Sequence, residues 1–396
     1  MRTAGVVCEY NPFHNGHAFH LKQTRKMGFE AIVAVMSGNL VQRAEPAAFS
    51  KWARAKAAVA SGADLVLELP VPYVLSSAEG FAMGAVGLLD SLGIINAVSF
   101  GSECGDKERI FRCAQAVLKI DGSPAFKRAL GQYPFPIARE KAVEELFGKE
   151  LSQLLRCPND ILGVEYCKAL LRLSSDMEPA AVKRRGAGHD LSRPEDGYAS
   201  ASCLRGLLKK GESIEAYVPK EAQLFYQEER EIFGPQQGDA LDHLILYALA
   251  AAEPEKLRKA NGMSEGLHNR LRREALRSSS LDELYQRVQT RRYPASRIRR
   301  AAVNGTLGIS KVDFPSAPPY IRVLDFNETG RQLLKEIKSA ARLPLYHSFA
   351  KLKGDFPYFG QKEELADKLF AASFAKKIEM TEYRHNRLYS VNPKYL

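Results

Sequence analysis

Residues 11–17 read Asn-Pro-Phe-His-Asn-Gly-His, and they place two imidazoles, His14 and His17, three positions apart around a glycine-containing turn, with His20 three further on. Where a chain leaves a buried strand and enters a helix, such a turn aims free backbone N–H groups and the positive end of the helix dipole at one point, the natural seat of a phosphate. Imidazoles at this spacing can face the same point and add donors. Donors held there would stabilise charge building on a phosphoryl group during in-line displacement at an α-phosphorus, with no covalent enzyme intermediate. The chemistry such a site offers is adenylate formation. Two other readings use the same residues: one histidine caps the helix while the other packs, or His14, His17 and His20 hold a metal. The metal reading lacks an accompanying carboxylate or cysteine cluster, and the order HExxH is absent, so no metal is expected.

Other chemistries find no support. There is no GxxxxGK[ST] and no GxSxG, and the GAG at 186–188 lacks both a third glycine and the first-strand position of a dinucleotide fingerprint. The six cysteines, Cys8, Cys104, Cys113, Cys157, Cys167 and Cys203, form no CxxC pair, which predicts reduced thiols rather than a zinc ribbon or redox motif.

The elements that must position the histidines are strands and helices in alternation. The spacing predicts strands at Thr3–Cys8, Ala31–Met36, Asp64–Leu69 and Ala97–Phe100, separated by helices at Gly16–Lys26, Ala47–Ser61 and Glu79–Ser91. Near-continuous apolar strands such as AIVAVM and DLVLEL imply an α/β fold, Rossmann-like, with a parallel sheet covered on both faces. Sites in such folds lie beyond the carboxyl ends of strands, where both the histidine loop and Gly101 fall. Helical sequence follows from Lys107 to about Leu173, then a further strand and turn in MEPAAVKRRGAGHD. Pro, Gly and Gln in the stretch GPQQGDA break the pattern and predict a division into residues 1–235, the catalytic unit, and residues 236–396, a mainly helical second domain.

The chain has 396 residues with 57 Lys and Arg against 46 Asp and Glu, a formal charge of +11 that suits an anionic partner. The excess is concentrated. Between Arg270 and Arg300 stand ten arginines, including Arg291, Arg292, Arg297, Arg299 and Arg300, against three acids, with Tyr285 and Tyr293 among them. An arginine-rich helical surface of this density fits phosphate contacts and stacking on unpaired bases, hence RNA. The sequence carries no signal peptide pattern, and its longest apolar run, Leu244–Ala252, falls short of a membrane span, so a cytoplasmic protein without a membrane partner is expected.

The motif NPFHNGH resembles the HxGH motif of the nucleotidyltransferase superfamily, and ASASCLR, ending at Arg205, is similar to that superfamily's second, phosphate-binding motif. EYNPFHNGH, MSGNLVQRAEPA, GADLVLELP, SFGSE, PNDILGVEY, KRRGAGHD and RYPASRIRR occur in the order found in bacterial tRNA(Met) cytidine acetate ligases, and this resemblance runs from Val6 to about Arg300. It implies a nucleotidyltransferase domain that activates acetate with ATP and magnesium as acetyl-adenylate, without coenzyme A. It further implies transfer of the acetyl group to the exocyclic amine of the wobble cytidine of elongator tRNA(Met), giving N4-acetylcytidine.

Carried over residue by residue, the resemblance assigns ATP contacts to Val7, Cys8, Glu9, Tyr10, Asn11, Pro12, Phe13, His14, Asn15, Gly16, His17, Ala18, Phe19 and His20, then to Gly101, Asn159, Arg184, Arg185, Ser202 and Arg205, with His14 and His17 catalytic. Gln42 and Arg43, beyond the second strand, are expected to position the acetate, and Arg291, Arg292, Arg297, Arg299 and Arg300 the tRNA. Trp52, Asp64 and Glu68 are expected to serve the fold. The sequence departs from the family pattern in two places: Ala44 stands where QRGEP has glycine, and GAGHD is one residue shorter than GAGYHD, which leaves open whether Arg184 or Arg185 meets phosphate. An adenylyltransferase for a small phosphorylated metabolite would keep both motifs but has no use for the arginine stretch.

Overall fold

The computed structural model describes residues 1–185, 197–310, 317–379 and 381–382. Strand β1 (Thr3–Cys8) leads into helix α1 (Asn15–Lys26), β2 (Ala31–Ser37) into α2 (Lys51–Ala60), and β3 (Leu65–Leu69) into α3 (Ala78–Ser91) by way of one short helical turn. Next come β4 (Ala97–Ser102), α4 (Lys107–Ile120), several shorter helices, α5 (Pro158–Leu173) and β5 (Glu178–Lys183). Every residue of β2 and of β3 is buried, because helices cover both faces of the sheet. The order β5-β4-β1-β2-β3 is parallel throughout, with the switch of direction at β1 and β4 on either side of the histidine loop.

The expected elements differ from the observed ones mainly at their ends. Helix α2 starts at Lys51 rather than Ala47, because the Ser50 hydroxyl accepts from the Ala53 N–H and caps it there. Strand β3 starts at Leu65, and Asp64 instead accepts from the Ile32 N–H at 2.8 Å and from Arg25 at 2.6 Å. Strand β4 runs on through Gly101, which pairs with Val182. The turn expected at 186–190 lies outside the described residues.

After β5 come α6 (Ala201–Lys209) and α7 (Lys220–Phe233), then α8 (Asp242–Ala251), α9 (Leu267–Ala275), α10 (Leu281–Val288) and α11 (Ala295–Leu307). The last four gather a helical core of their own around Leu249, Leu271, Leu284 and Ile298, as the helix-rich sequence predicts. The expected division at residue 235 does not divide the sheet, however. Strand β6 (Ile321–Phe326) pairs antiparallel with β3 and carries β7 (Leu345–Tyr346) beside it, with α12 (Glu328–Ala340) between them; α13 (Pro357–Ala372) follows. The end of the chain thus completes the sheet of the first half.

A buried ionic cluster fastens that return. Lys51 lies 2.7 Å from Glu68, Arg322 of β6 lies 2.8 Å from Glu68 and 2.5 Å from Glu382, and Lys51 also meets Glu382. Two cations meet two carboxylates at hydrogen-bonding distance, and burial together with Glu68 pushes the neighbouring Glu363 carboxyl up to about 8; close pairing of opposite charges is the condition under which such a cluster is tolerated in a dry interior.

Candidate active site

The site begins where β1 ends. Arg54, fully buried on α2, donates from Nη1 to the Glu9 carbonyl at 2.5 Å and from Nη2 to the carbonyls of Gly38 and Ser37, the latter at 3.2 Å, so one guanidinium clamps the loops after β1 and β2 together. Asn11 Oδ1 accepts from the Ala48 N–H at 2.7 Å, the Phe13 N–H donates to the Tyr226 hydroxyl at 2.9 Å, and Asn15 donates to the Gly197 carbonyl at 2.8 Å. Arg205 Nη1 donates to the Asn11 carbonyl at 2.9 Å. Each contact joins the loop to a distant part of the chain, and together they leave it one conformation.

Within that frame His14 is the N-cap of α1. Its Nδ1 accepts from the Gly16 N–H at 3.0 Å, while His17 Nδ1 accepts from the His14 N–H at 3.2 Å. A backbone N–H can only donate, so both Nδ1 atoms are acceptors and both rings are the Nε2–H tautomer. The ring centroids lie 3.7 Å apart with the planes tilted by 31°, which sets two donors side by side at a helix N-terminus. A Cβ on Gly16 would lie 2.8 Å from His14 Cε1, and this close approach is why the residue between the two histidines is glycine. Burial, reinforced by the charges of Arg184 and Arg205, pushes His14 down to about 3; burial and the neighbouring His14 push His17 well below the usual histidine range. Neutral imidazoles donate without carrying a charge of their own.

His20 is drawn elsewhere: its Nε2 lies 3.0 Å from Ser99 Oγ of β4. Among the described residues no cluster of three or more His, Cys, Asp or Glu could hold a metal ion.

Across the switch point the structure brings Gly101, Asn159 and Arg184 together. Arg184 donates to Asn159 Oδ1 at 3.3 Å, and a Cβ on Gly101 would lie 3.4 Å from Arg184 Cγ. Asn159 in turn donates to Glu103 Oε1 at 2.6 Å, and Asp160 Oδ1 accepts from Ser102 Oγ at 2.6 Å. Both arginines are exposed; Arg184 stands at this side of the site, whereas Arg185 lies over the Tyr198 ring at 5.7 Å. Ser200 caps α6 through the Cys203 N–H, while Ser202 is exposed on its first turn, three positions before Arg205. Glu103, Asp160, Arg54 and Tyr226 were not expected from the sequence. SFGSE and PNDI carry the first two, and the need for Glu103 to cap α5 is their physical signal; Tyr226 acts from 213 positions away and Arg54 on backbone carbonyls 16, 17 and 45 positions away, which leaves no motif.

The Gln42 N–H donates to Glu9 Oε1 at 2.7 Å, placing the loop after β2 against the histidine loop, with Arg43 exposed beside it. Burial raises the Glu9 carboxyl above its usual range, opposed by that N–H and by Arg54, Arg205 and Arg43. In the helical unit Arg291 and Arg292 are exposed, and Arg300 is half-buried. Arg297 is engaged by the protein itself, with Glu265 Oε2 at 2.8 Å, Ser264 Oγ at 2.6 Å and the Tyr293 ring beneath it. Arg299 pairs with Glu45 at 3.3 Å.

The family profile described as HIGH Nucleotidyl Transferase matches residues 1–388. Over 365 residues the chain is 40% identical to the tRNA(Met) cytidine acetate ligase of Caldanaerobacter subterraneus subsp. tengcongensis, covering 89% of this chain and 90% of that one. The protein of the same name from Acetivibrio thermocellus is 34% identical over 386 residues, with 92% of each chain covered. The crystal structure of Thermotoga maritima TmcAL bound with alpha-thio ATP superposes with a TM-score of 0.85 at 30% identity, covering 97% of this chain and 98% of that one.

Proposed function

Because the chain belongs to the HIGH Nucleotidyl Transferase family, and within it to the tRNA(Met) cytidine acetate ligases, we propose that its residues divide two half-reactions between two surfaces. The enzyme is an ATP-dependent ligase that acetylates a cytidine of tRNA(Met). In the first half-reaction a carboxylate oxygen of acetate attacks the α-phosphorus of ATP and the bond to the bridging β-oxygen breaks, releasing pyrophosphate. In the second, N4 of the wobble cytidine attacks the acetyl carbonyl carbon, AMP leaves with the electron pair on its phosphate oxygen, and one N4 proton passes to solvent.

The observation that carries this reading is the neutral His14–His17 pair, His14 buried and His17 half-buried, whose Nδ1 atoms are spent on backbone N–H groups so that each ring keeps an Nε2–H to donate. Aimed at the α-phosphate oxygens, they stabilise the charge that develops as acetate attacks, and they neither gain nor lose a proton. Gly101 and Asn159 seat the nucleoside, Arg184, Ser202 and Arg205 the phosphates, and Gln42 with Arg43 the acetate. Magnesium accompanies the triphosphate and screens its charge. Coenzyme A takes no part. Arg291 and Arg292 contact elongator tRNA(Met) in the cytoplasm through its phosphates, the role of Arg297 being to brace the turn at 262–265.

All the groups assigned to ATP are assembled without the helical unit, so activation precedes RNA binding. The protein alone is expected to catalyse acetate-dependent exchange of labelled pyrophosphate into ATP, with neither tRNA nor coenzyme A present. Exchange with a phosphorylated metabolite and never with acetate would overturn this reading.

A further inference from the structure

A cleft of about 580 Å³ opens between the two units, and no role has been assigned to it so far. One wall is made by the loop after β2, from Ala44 to Phe49, and by α6 with Arg205; the facing wall is made by α10 and α11, with Tyr285 and Arg299. Its size suits a nucleoside and far exceeds acetate. Arg205 fixes its position relative to the chemistry: the same side chain that lines the cleft donates to the Asn11 carbonyl of the phosphate loop at 2.9 Å. Whatever enters the cleft from the arginine side arrives beside the acetyl-adenylate.

The polar groups spanning the cleft have a definite pattern. Glu45 on the first wall and Arg299 on the second meet at 3.3 Å, with 43% and 37% of their side chains exposed, a loose pair that solvent already competes for. Arg299 is oriented by the Tyr285 ring, its guanidinium carbon 5.5 Å from the ring centroid, and its Nε is buried without a hydrogen-bond partner. A bridge that is easily opened, and a preoriented donor still lacking an acceptor, form a receptor for a planar group carrying both a donor and acceptors.

We propose that this cleft seats the wobble nucleoside, with Glu45 accepting from the exocyclic N4 of cytosine and Arg299 donating to its N3 and O2. The pairing follows from the base's edge. Cytosine presents one amine donor followed by two acceptors, which a carboxylate and a guanidinium side by side complement. Uracil presents an acceptor at position 4, which Glu45 repels, and a donor at N3, which Arg299 repels. Anticodon bases are unpaired and can be turned out onto aromatic and arginine surfaces, so no duplex need be opened. The cleft thereby selects the base, while the phosphate contacts on Arg291 and Arg292 bind any RNA.

The proposal rests on the acetate ligase reading, and one set of measurements separates the two. Competition binding compares a tRNA(Met) transcript carrying cytidine at the wobble position with the same transcript carrying uridine, at fixed salt, while thermal melting monitors folding. The intact protein is expected to prefer cytidine about tenfold or more, and Glu45→Gln and Arg299→Lys, which keep size and, for the second, charge, are each expected to cut that preference to about twofold or less. Equal binding of the two transcripts by the intact protein, or full preference retained by both variants, would overturn the cleft assignment. Absence of acetate-dependent pyrophosphate exchange in the intact protein would overturn the ligase reading instead, whatever the base preference.

Discussion

On the function proposed above, the histidine loop and the arginine-bearing surface of the helical unit solve opposite problems. From Glu9 to His17 the loop is anchored by Arg54, Ala48, Tyr226, Gly197 and Arg205, partners drawn from four different parts of the chain. Along α9 to α11, Arg277, Arg291 and Arg292 are exposed, Arg287 pairs with nearby Glu283 at 2.7 Å and Arg273 with Glu274 at 2.9 Å, while Arg297 and Arg299 reach distant acids, Glu265 and Glu45. Stabilising a transition state requires donors fixed before the reaction starts, because reorganising them would consume the gain. Attracting a polyanion requires only charge density and counterion release, which tolerate mobile side chains. Few groups held rigidly and many held loosely are the structural signatures of the two tasks.

If that contrast is right, the largest single effect belongs to the loop. His17→Ala is expected to lower acetate-dependent pyrophosphate exchange on the order of a hundredfold or more, because a donor to the transition state is removed. His14→Ala should add a loss of stability of about 1 kcal/mol, since His14 also caps α1. Exchange close to that of the intact protein in His17→Ala would remove the contrast at its strong end.

The loop should also be visible in the pH dependence of stability. In the unfolded chain His14 and His20 take up a proton near 6.5, but in the folded protein burial pushes them down to about 3 and about 4. Between those limits the unfolded chain holds more protons, so stability rises with pH there. It is complete above about pH 6.5 and is lost progressively as the pH falls toward 4. Chemical denaturation at pH 7, 6 and 5 checks the sign, and His20→Gln, which keeps a partner for Ser99, is expected to make the fall shallower. Stability flat or rising toward pH 5 would contradict the burial of neutral rings.

The loose surface predicts smaller, additive changes. Arg291→Ala and Arg292→Ala should each reduce the slope of log affinity for tRNA against log salt by about 1, with a uniform loss across RNA sequences. Arg297→Ala sharpens the comparison from within the same run of residues. Its guanidinium already holds Ser264 and Glu265, so the variant should lose stability by about 1 kcal/mol and leave the salt slope nearly unchanged. A slope change as large as that of Arg291→Ala would mean that Arg297 lets go of the turn when RNA arrives.

The first five strands, their parallel sense and the histidine loop were legible in the sequence because each depends on local pattern: apolar runs of strand length, amphipathic spacing, and a turn rich in Gly and His; the order of the strands in the sheet was not. The return of Ile321–Phe326 to the edge of the sheet was not, because IRVLDF carries no mark of which strand it will join, and its fastening through Arg322, Glu68 and Lys51 links positions more than 250 apart. In the site, residue types were readable where a motif fixes the backbone, as in HxGH. They were less informative where a charge run mixes two environments, as with exposed Arg292 and with Arg297 held against Ser264 and Glu265. The clamp made by Arg54 was invisible for the same reason as β6: its partners are carbonyl oxygens, and a carbonyl leaves no letter in a sequence.

The smallest effect concerns the loop between the two regions. Val41 and Ala44 close a tight turn, with the Ala44 N–H donating to the Val41 carbonyl at 2.8 Å and the Val41 N–H donating to the Glu45 carbonyl at 3.0 Å. Ala44 is left at φ +61°, in the left-handed region that favours glycine. The sequence marks this position as the one where a family motif with glycine carries alanine, and the backbone supplies the reason that glycine suits it. Ala44→Gly relieves the clash of Cβ with the following carbonyl but gives the unfolded chain more freedom, two contributions of similar size and opposite sign. The relief is the larger, so the variant is expected to gain up to about 1 kcal/mol of stability, read as a small rise in Tm. The buried methyl of Ala44 also lines the cleft beside Glu45 and Arg299, and removing its packing there would subtract from the gain. A fall in Tm would therefore show that packing against the helical unit, rather than the turn, sets the residue at this position, and that the loop belongs to the second region as much as to the first.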